Sequence, residues 1–148
     1  MVGFFAPNKA RSLVRTGQLR KDSNRSWRIG GVVQLQWFKC TGANWCLLEE
    51  VDLHEVDGYG VLAVWRSGEM GRTSVVLYVG HGPLRQQIEE CRRDPIFRTA
   101  SQLRVTWARV DPRDVDGVAA YLYQQLRPLW GEVPRAVAPL PVNLPLTG

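Results

Sequence analysis

Residues 58–91, GYGVLAVWRSGEMGRTSVVLYVGHGPLRQQIEEC, decide the fold of this chain. Residues 61–65 and 75–79 are short apolar runs rich in valine, and glycines bound both of them. The polar segment RSGEMGRT between the runs carries two glycines, which is typical of a loop. Two apolar runs joined in this way predict an antiparallel hairpin with a loop longer than two residues.

A helix is predicted directly after the hairpin. Leu84, Ile88 and Cys91 recur at i, i+4 and i+7, which places them on one helical face over residues 84–93. The following Asp-Pro pair ends this helix, because the residue before a proline is disfavoured in helical conformation.

A third strand and a second helix complete the predicted core. Residues 103–110, LRVTWARV, alternate apolar and polar side chains and predict a strand with one solvent-exposed face. Residues 114–126 predict a helix that Asp111 or Asp114 can cap. Its inward stripe consists of Val115, Val118, Ala119, Leu122 and Leu126.

The order hairpin, helix, strand, helix predicts an α+β fold, with a small, mostly antiparallel, three-stranded sheet flanked by helices. The alternating segment at residues 32–39, VVQLQWFK, predicts a further strand outside this core. Three regions are expected: a basic N-terminal arm at residues 1–28, an extension at residues 29–57 that packs on the core, and the core domain at residues 58–145.

The positive charge of the chain is concentrated in the N-terminal arm. Residues 1–28 carry seven basic side chains and one acid, a net charge of +6, whereas the remaining 120 residues sum to −1. Such an arm neutralises nucleic-acid phosphates, or else is a solvated tail. The basic residues of the arm are Lys9, Arg11, Arg15, Arg20, Lys21, Arg25 and Arg28.

The three cysteines, Cys40, Cys46 and Cys91, suggest no disulfide framework, so buried thiols in a reducing cytoplasm are expected. A zinc site that combines them with His54 and His81 is the alternative. No apolar run approaches the ~20 residues of a membrane span, and no membrane association is expected. No secretory signal is expected either; the Arg-rich, acid-poor start is also compatible with a transit peptide.

Two tripeptides frame the predicted hairpin, Gly60-Val61-Leu62 and Tyr78-Val79-Gly80. With the helix, strand and helix that follow, they resemble the GIY-YIG endonuclease superfamily over residues 58–145. The downstream segments VTWARV, DGVAAYL, LRPLWGE and PVNLP look like those of a bacterial branch of that family.

The resemblance implies a nuclease site of five residues. One tyrosine from each tripeptide, an arginine on the first helix, a glutamate on the second helix and a downstream asparagine build it. A phenol, or water that it activates, attacks phosphorus, and the arginine stabilises charge on the phosphoryl oxygens. The glutamate holds a divalent cation, Mg²⁺ or Mn²⁺, which acts as a Lewis acid.

Three of these five positions lack the required group. Leu62 replaces the first tyrosine, Gln87 replaces the arginine, and Ala119 replaces the glutamate, whereas Tyr78 and Asn143 match the second tyrosine and the asparagine. Arg85 lies two residues before Gln87 and points elsewhere on a regular helix. Since Ala119 is on the inward stripe, it is expected to face Leu62 and Gln87.

Three functions follow from this pattern. The first is a nuclease-like domain that no longer cuts, needs no cofactor and binds nucleic acid through the arm and through arginines around the first helix: Arg85, Arg92, Arg93 and Arg98. Those arginines are otherwise a solvated face balanced by Glu89, Glu90 and Asp94.

The second function is a protein-interaction or structural subunit. In it the fold is a scaffold, and some of the four tryptophans outside the three strands of the predicted core sheet anchor a protein partner. They are Trp27, Trp37, Trp45 and Trp130. Ordinary core packing is the alternative for each of them.

The third function is a metal-dependent endonuclease with rearranged residues. Its candidate catalytic side chains are Tyr78, Arg85, His81 as a base at neutral pH, Asn143, and an acid such as Glu90.

Overall fold

The computed structural model describes residues 27–29, 31–68, 73–100, 102–131 and 134–146. The predicted arm falls almost entirely outside these ranges, and so do its basic residues Lys9, Arg11, Arg15, Arg20, Lys21 and Arg25. The backbone of Arg28 is described, and it pairs with Val33 in a small hairpin.

An antiparallel four-stranded sheet forms the centre of an α+β fold. Its strands are β3 (Cys46–Leu47), β4 (Tyr59–Arg66), β5 (Val75–Pro83) and β6 (Leu103–Arg109), in the spatial order β3-β6-β4-β5. The predicted hairpin is β4 and β5, and the predicted third strand is β6. The prediction of three strands misses β3, because the two residues that pair with Val105 and Arg104 are too few to show a period.

A separate two-stranded hairpin consists of β1 (Trp27–Ile29) and β2 (Val32–Gln34). The strand predicted over residues 32–39 is therefore limited to its first three residues. The chain beyond Gln34 pairs instead through isolated contacts, in which the amide of Phe38 donates to the carbonyl of Trp107 at 3.0 Å.

The described residues form three α-helices: α1 (Leu84–Arg93), α2 (Pro95–Arg98) and α3 (Val115–Leu126). Helix α1 confirms the predicted bounds, with Leu84, Ile88 and Cys91 buried. Helix α2 was not predicted; it begins because the carboxylate of Asp94 accepts from the amide of Ile96 at 2.9 Å, and Pro95 at its first position suits a helix start. None of the described helices combines the length and apolarity that crossing a bilayer requires.

Helices cover the sheet on both sides, and each side has its own core. On the α1 face, Leu62, Val64 and Leu77 of the sheet pack with residues of α1 and with Phe97 of α2. On the α3 face, Val61, Trp65, Val76, Val79 and Ala108 pack with residues of α3 and with Val33, Leu35 and Val142. The expectation of one solvent-exposed face on β6 is wrong, because these two cores bury Val105 and Ala108 completely on opposite sides.

Cys40 and Cys46 form a disulfide, so the expectation of free thiols is wrong for this pair. The 3₁₀ turn η1 (Thr41–Ala43) reverses the chain between them, and it brings the two Cα atoms to 5.0 Å. Disulfides require such a separation. Cys91 remains a free, buried thiol.

Candidate functional site

Tyr78 and Gln87 form a polar pair on the α1 face of the sheet. The phenol of Tyr78 donates to Oε1 of Gln87 at 3.1 Å. A register shift in the β4–β5 ladder pairs Val64 with Tyr78 but Trp65 with Val76, and it leaves both Leu77 and Tyr78 packed against the α1-face core. Tyr78 therefore meets a neutral amide at the position where the resemblance implies a guanidinium.

Gly80 makes room for this pair. A Cβ atom at Gly80 would lie 2.6 Å from Cε2 of Tyr78 and 2.7 Å from Oε1 of Gln87, closer than side-chain contacts permit. The last glycine of the second tripeptide thus has a packing role in this chain. Leu62 pairs with Gly80 across the hairpin and is fully buried in the same core. The structure therefore brings together three of the five family positions, 62, 78 and 87.

Ala119 lies on the opposite face of the sheet. It is 1% exposed and belongs to the α3-face core, together with Val61, Trp65 and Val79. The inward orientation of Ala119 is confirmed, but the expectation that it faces Leu62 and Gln87 is wrong, because the sheet lies between them. The divalent cation that the resemblance implies does not fit these residues, since Ala119 lies among apolar side chains of the α3-face core, and hard cations take oxygen ligands. Within the described ranges, no three His, Cys, Asp or Glu side chains cluster as metal ligands.

Asn143 joins the C-terminal tail to the chain after β2. Its Nδ2 donates to the carbonyl of Leu35 at 3.0 Å, and its Oδ1 accepts from the amide of Leu35. Its own carbonyl accepts from the indole of Trp37 at 2.9 Å. Leu35 and the neighbouring Val142 belong to the α3-face core, so Asn143 is on the side of the sheet away from Tyr78.

The remaining candidate catalytic residues are dispersed. His81 pairs with Val61 in the hairpin, and alternation along β5 places it on the α3 face with Val79. Arg85 is on the flank of α1, where its Nε donates to the carbonyl of Val56 at 3.0 Å. The carboxylate of Glu90 accepts from Gln86 at 3.1 Å. The structure does not bring these groups to Tyr78.

Three of the predicted cations converge at the C-terminal end of α1. Arg92, Arg93 and Arg98 line one open depression, together with Glu49 and Ala100. We call this surface the arginine depression. Its fixed charge is positive, because three guanidinium groups share it with one carboxylate.

Backbone carbonyls hold Arg92 in place within the arginine depression. Its Nε donates to the carbonyl of Leu48 at 2.9 Å, and its Nη2 donates to the carbonyl of Val51 at 2.5 Å. Leu48 is the first residue of the 3₁₀ turn η2 (Leu48–Glu50), and Val51 directly follows it. The sequence pattern identified the arginines but missed these acceptors and Glu49, since a backbone carbonyl leaves no signal in the residue types around it.

Burial dominates the electrostatics of the α1-face core. Burial raises the pKa of the Cys91 thiol from its ordinary value of 9.0 to about 12, and the nearby carboxylates of Asp94 and Glu90 add to this effect. Cys91 belongs to the same core against which Tyr78 packs.

No protein-family model, curated protein or solved structure matches the chain. The function is consequently argued from the residues and their geometry.

Proposed function

We propose that the chain is a nuclease-like domain of GIY-YIG type that has lost catalysis and binds nucleic acid. The order of elements that carries the resemblance, from β4 through α3, supports the fold assignment. The chemistry at the family positions supports the loss of catalysis, because Leu62, Gln87 and Ala119 supply neither a phenol, a phosphate-binding cation nor a metal ligand. Each lost electrostatic group of this kind typically lowers a rate by ~10²–10³.

The arginine depression is the observation that carries the binding proposal. Arginine forks bind phosphate oxygens in pairs of parallel hydrogen bonds, and Arg92 is already positioned by its two carbonyl partners. Arg93 and Arg98 are exposed on the same surface. The N-terminal arm, with its net charge of +6, supplies further phosphate contacts.

Salt-dependent binding tests this proposal. Fluorescently labelled single-stranded and duplex oligonucleotides are titrated with the chain at a series of salt concentrations. We expect the variant Arg93→Gln/Arg98→Gln to bind more weakly and to lower the slope of log K against log[salt] by about 2, since each lost phosphate contact removes about one unit. The matched control is Arg127→Gln/Arg135→Gln, which removes two exposed arginines elsewhere.

Equal losses of oligonucleotide affinity in the two double variants would show that binding depends on net charge alone. This outcome would contradict a phosphate site at the arginine depression. Absence of binding to either oligonucleotide at ~50 mM salt would contradict the function itself. The arm is tested separately with Arg11→Gln/Arg15→Gln/Arg20→Gln, for which we expect a further decrease in the slope.

Binding of a protein partner is the second candidate function, and exposed apolar side chains favour it. Ile96, Leu129 and Trp130 are 44%, 59% and 41% exposed. The ring of Trp130 packs on Phe97 at 6.2 Å, so part of this tryptophan is fixed and part remains open. Trp37 and Trp45 are half-buried and already packed, the latter against Trp65 at 5.4 Å. One stoichiometric partner that is lost in Trp130→Ala, without bound nucleic acid, would support this function over the first.

A further inference from the structure

The disulfide between Cys40 and Cys46 closes a loop at the outer edge of the sheet. Cys40 is exposed, whereas Cys46 is 1% exposed and pairs with Val105 of β6. Two successive residues inside the loop, Gly42 and Ala43, have positive φ angles of 72° and 61°. This conformation is unfavourable for alanine, so the covalent bond holds a loop that would otherwise relax.

The same stretch of backbone holds Arg92. Cys46 and Leu47 form β3, and η2 follows without a linker. Leu48 at the start of η2 and Val51 directly after it provide the two carbonyls that bind Arg92, and Glu49 between them lines the arginine depression. Any loosening at Cys46 is therefore transmitted over two to five residues to the acceptors of Arg92.

Contacts from β6 do not replace the disulfide. The guanidinium of Arg104 donates to the carbonyl of Trp45 at 2.9 Å, and the hydroxyl of Thr106 donates to the carbonyl of Phe38 at 2.7 Å. These bonds fix the two ends of the loop against the sheet edge. Residues 41–44 between them are exposed, and the amide of Cys40 donates to the carbonyl of Asn44 within the loop itself.

We propose that the Cys40–Cys46 disulfide is a redox-sensitive latch for Arg92. Its reduction loosens residues 40–46 and, through β3, the carbonyls of Leu48 and Val51 that hold Arg92, and so weakens the nucleic-acid binding proposed above, on which this last step rests. A pre-positioned arginine binds more tightly than a mobile one, because less conformational entropy is lost on binding.

The reductant is a dithiol. One of its thiolates attacks the sulfur of Cys40, the exposed residue of the pair, and the S–S bond breaks as Cys46 leaves as a thiolate and takes a proton. The second thiol of the reductant, as its thiolate, then attacks the mixed disulfide and releases Cys40, which is protonated in turn. The protein gains two electrons and two protons, and the reductant becomes a disulfide.

The test compares the oxidised chain, the same chain reduced with dithiothreitol, and Cys40→Ser, in which the disulfide cannot form. Two readouts do not depend on nucleic acid: hydrogen exchange of residues 40–51, and the rate at which the arginine reagent phenylglyoxal modifies Arg92, followed by mass spectrometry. We expect both to increase by about fivefold or more in the reduced chain and in the variant. Exchange over α3 and modification of Arg113 are internal controls and should stay unchanged.

The third readout is affinity for a labelled oligonucleotide, which we expect to fall by about fivefold or more on reduction. In Cys40→Ser, dithiothreitol should change neither the hydrogen exchange, nor the reactivity of Arg92, nor the oligonucleotide affinity. If that variant does not fold, the reduced wild-type chain carries the comparison alone.

The outcomes separate the latch from the proposed function. Unchanged exchange and unchanged Arg92 reactivity would overturn the latch. Increased Arg92 reactivity with unchanged oligonucleotide affinity would overturn its regulatory effect. Increased reactivity without any oligonucleotide binding in either redox state would support the latch itself and contradict the proposed function.

Discussion

The α1 face and the α3 face of the sheet bury comparable apolar cores, but the polar side chains on the two faces have different kinds of hydrogen-bond partner. On the α1 face, Tyr78 and Gln87 bond to each other beside the core. On the α3 face, the side-chain amide of Asn143 bonds to the backbone of Leu35, and Ala119 has apolar neighbours. The residues that match the family positions are therefore divided between the two faces of the sheet.

For the positions on β5, the face follows from the alternation of side chains along the strand. Tyr78 and Gly80 point to the α1 face, whereas Val79 and His81 point to the α3 face. Matching positions in a sequence shows which residue types are present, but it does not show that they meet. We therefore predict that placing one of the residue types implied by the resemblance at a single position does not create a nuclease site.

The largest effect is expected from Ala119→Glu, which places on the α3 face the carboxylate that the resemblance implies. It would bury an unpaired charge in an apolar core, and we expect the free energy of unfolding to fall by about 3–5 kcal/mol. Excess Mg²⁺ should not recover this stability, because the described neighbours of Ala119 in the α3-face core are apolar. Urea denaturation followed by circular dichroism, with and without Mg²⁺, measures both effects.

Gln124→Glu is the matched control for this substitution. It adds the same carboxylate on an exposed position of α3 and should change stability by less than about 0.5 kcal/mol. If Mg²⁺ restored the stability of Ala119→Glu but left the control unchanged, the α3 face would contain a latent cation site and the contrast between the faces would fail.

Asn143→Ala should have the next largest effect. It removes two hydrogen bonds to Leu35 and leaves a largely buried amide and carbonyl without their partner, so we expect a loss of about 2 kcal/mol in unfolding free energy. Hydrogen exchange at residues 33–37 should increase, and oligonucleotide affinity should not change. A loss of affinity at unchanged stability would instead indicate that Asn143 contacts the ligand.

The sequence predicts the local elements of this fold better than its long-range arrangement. The hairpin, α1, β6 and α3 have periods long enough to identify, and Ala119 is buried as its stripe predicts. Strand β3 and helix α2 are too short for a period. The disulfide depends on a turn that brings two Cα atoms together, and the face occupied by α3 depends on packing, so neither follows from residue types alone.

A smaller effect is expected from the polar pair on the α1 face. Tyr78→Phe removes the phenol–amide hydrogen bond, and Gln87→Met removes its acceptor. A double-mutant cycle by urea denaturation should give a coupling of about 1 kcal/mol. A coupling near zero would show that the pair adds nothing to the α1 face. Nicking of supercoiled plasmid by the wild type with Mg²⁺ or Mn²⁺, abolished by Tyr78→Phe, would instead restore a catalytic role for the phenol.

The smallest effect on stability at neutral pH concerns Cys91. Burial in the α1-face core raises the pKa of its thiol. A folded-state pKa of about 12 against an ordinary value of 9.0 means that the folded chain retains the thiol proton more strongly than the unfolded chain. The stabilisation linked to this proton is complete below pH about 9 and is lost as pH rises towards about 12. The difference in unfolding free energy between wild type and Cys91→Ala should therefore narrow over this interval.

Alkylation gives the kinetic counterpart of this prediction. At pH about 8, iodoacetamide should modify Cys91 of the folded chain at least about 100-fold more slowly than Cys91 of the urea-unfolded chain, because the thiolate is the reactive form. Rapid alkylation of the folded chain would mean that water reaches the core under α1. The Tyr78–Gln87 pair would then border a hydrated cleft rather than a dry layer, and the α1 face would regain the solvent access that a catalytic site needs.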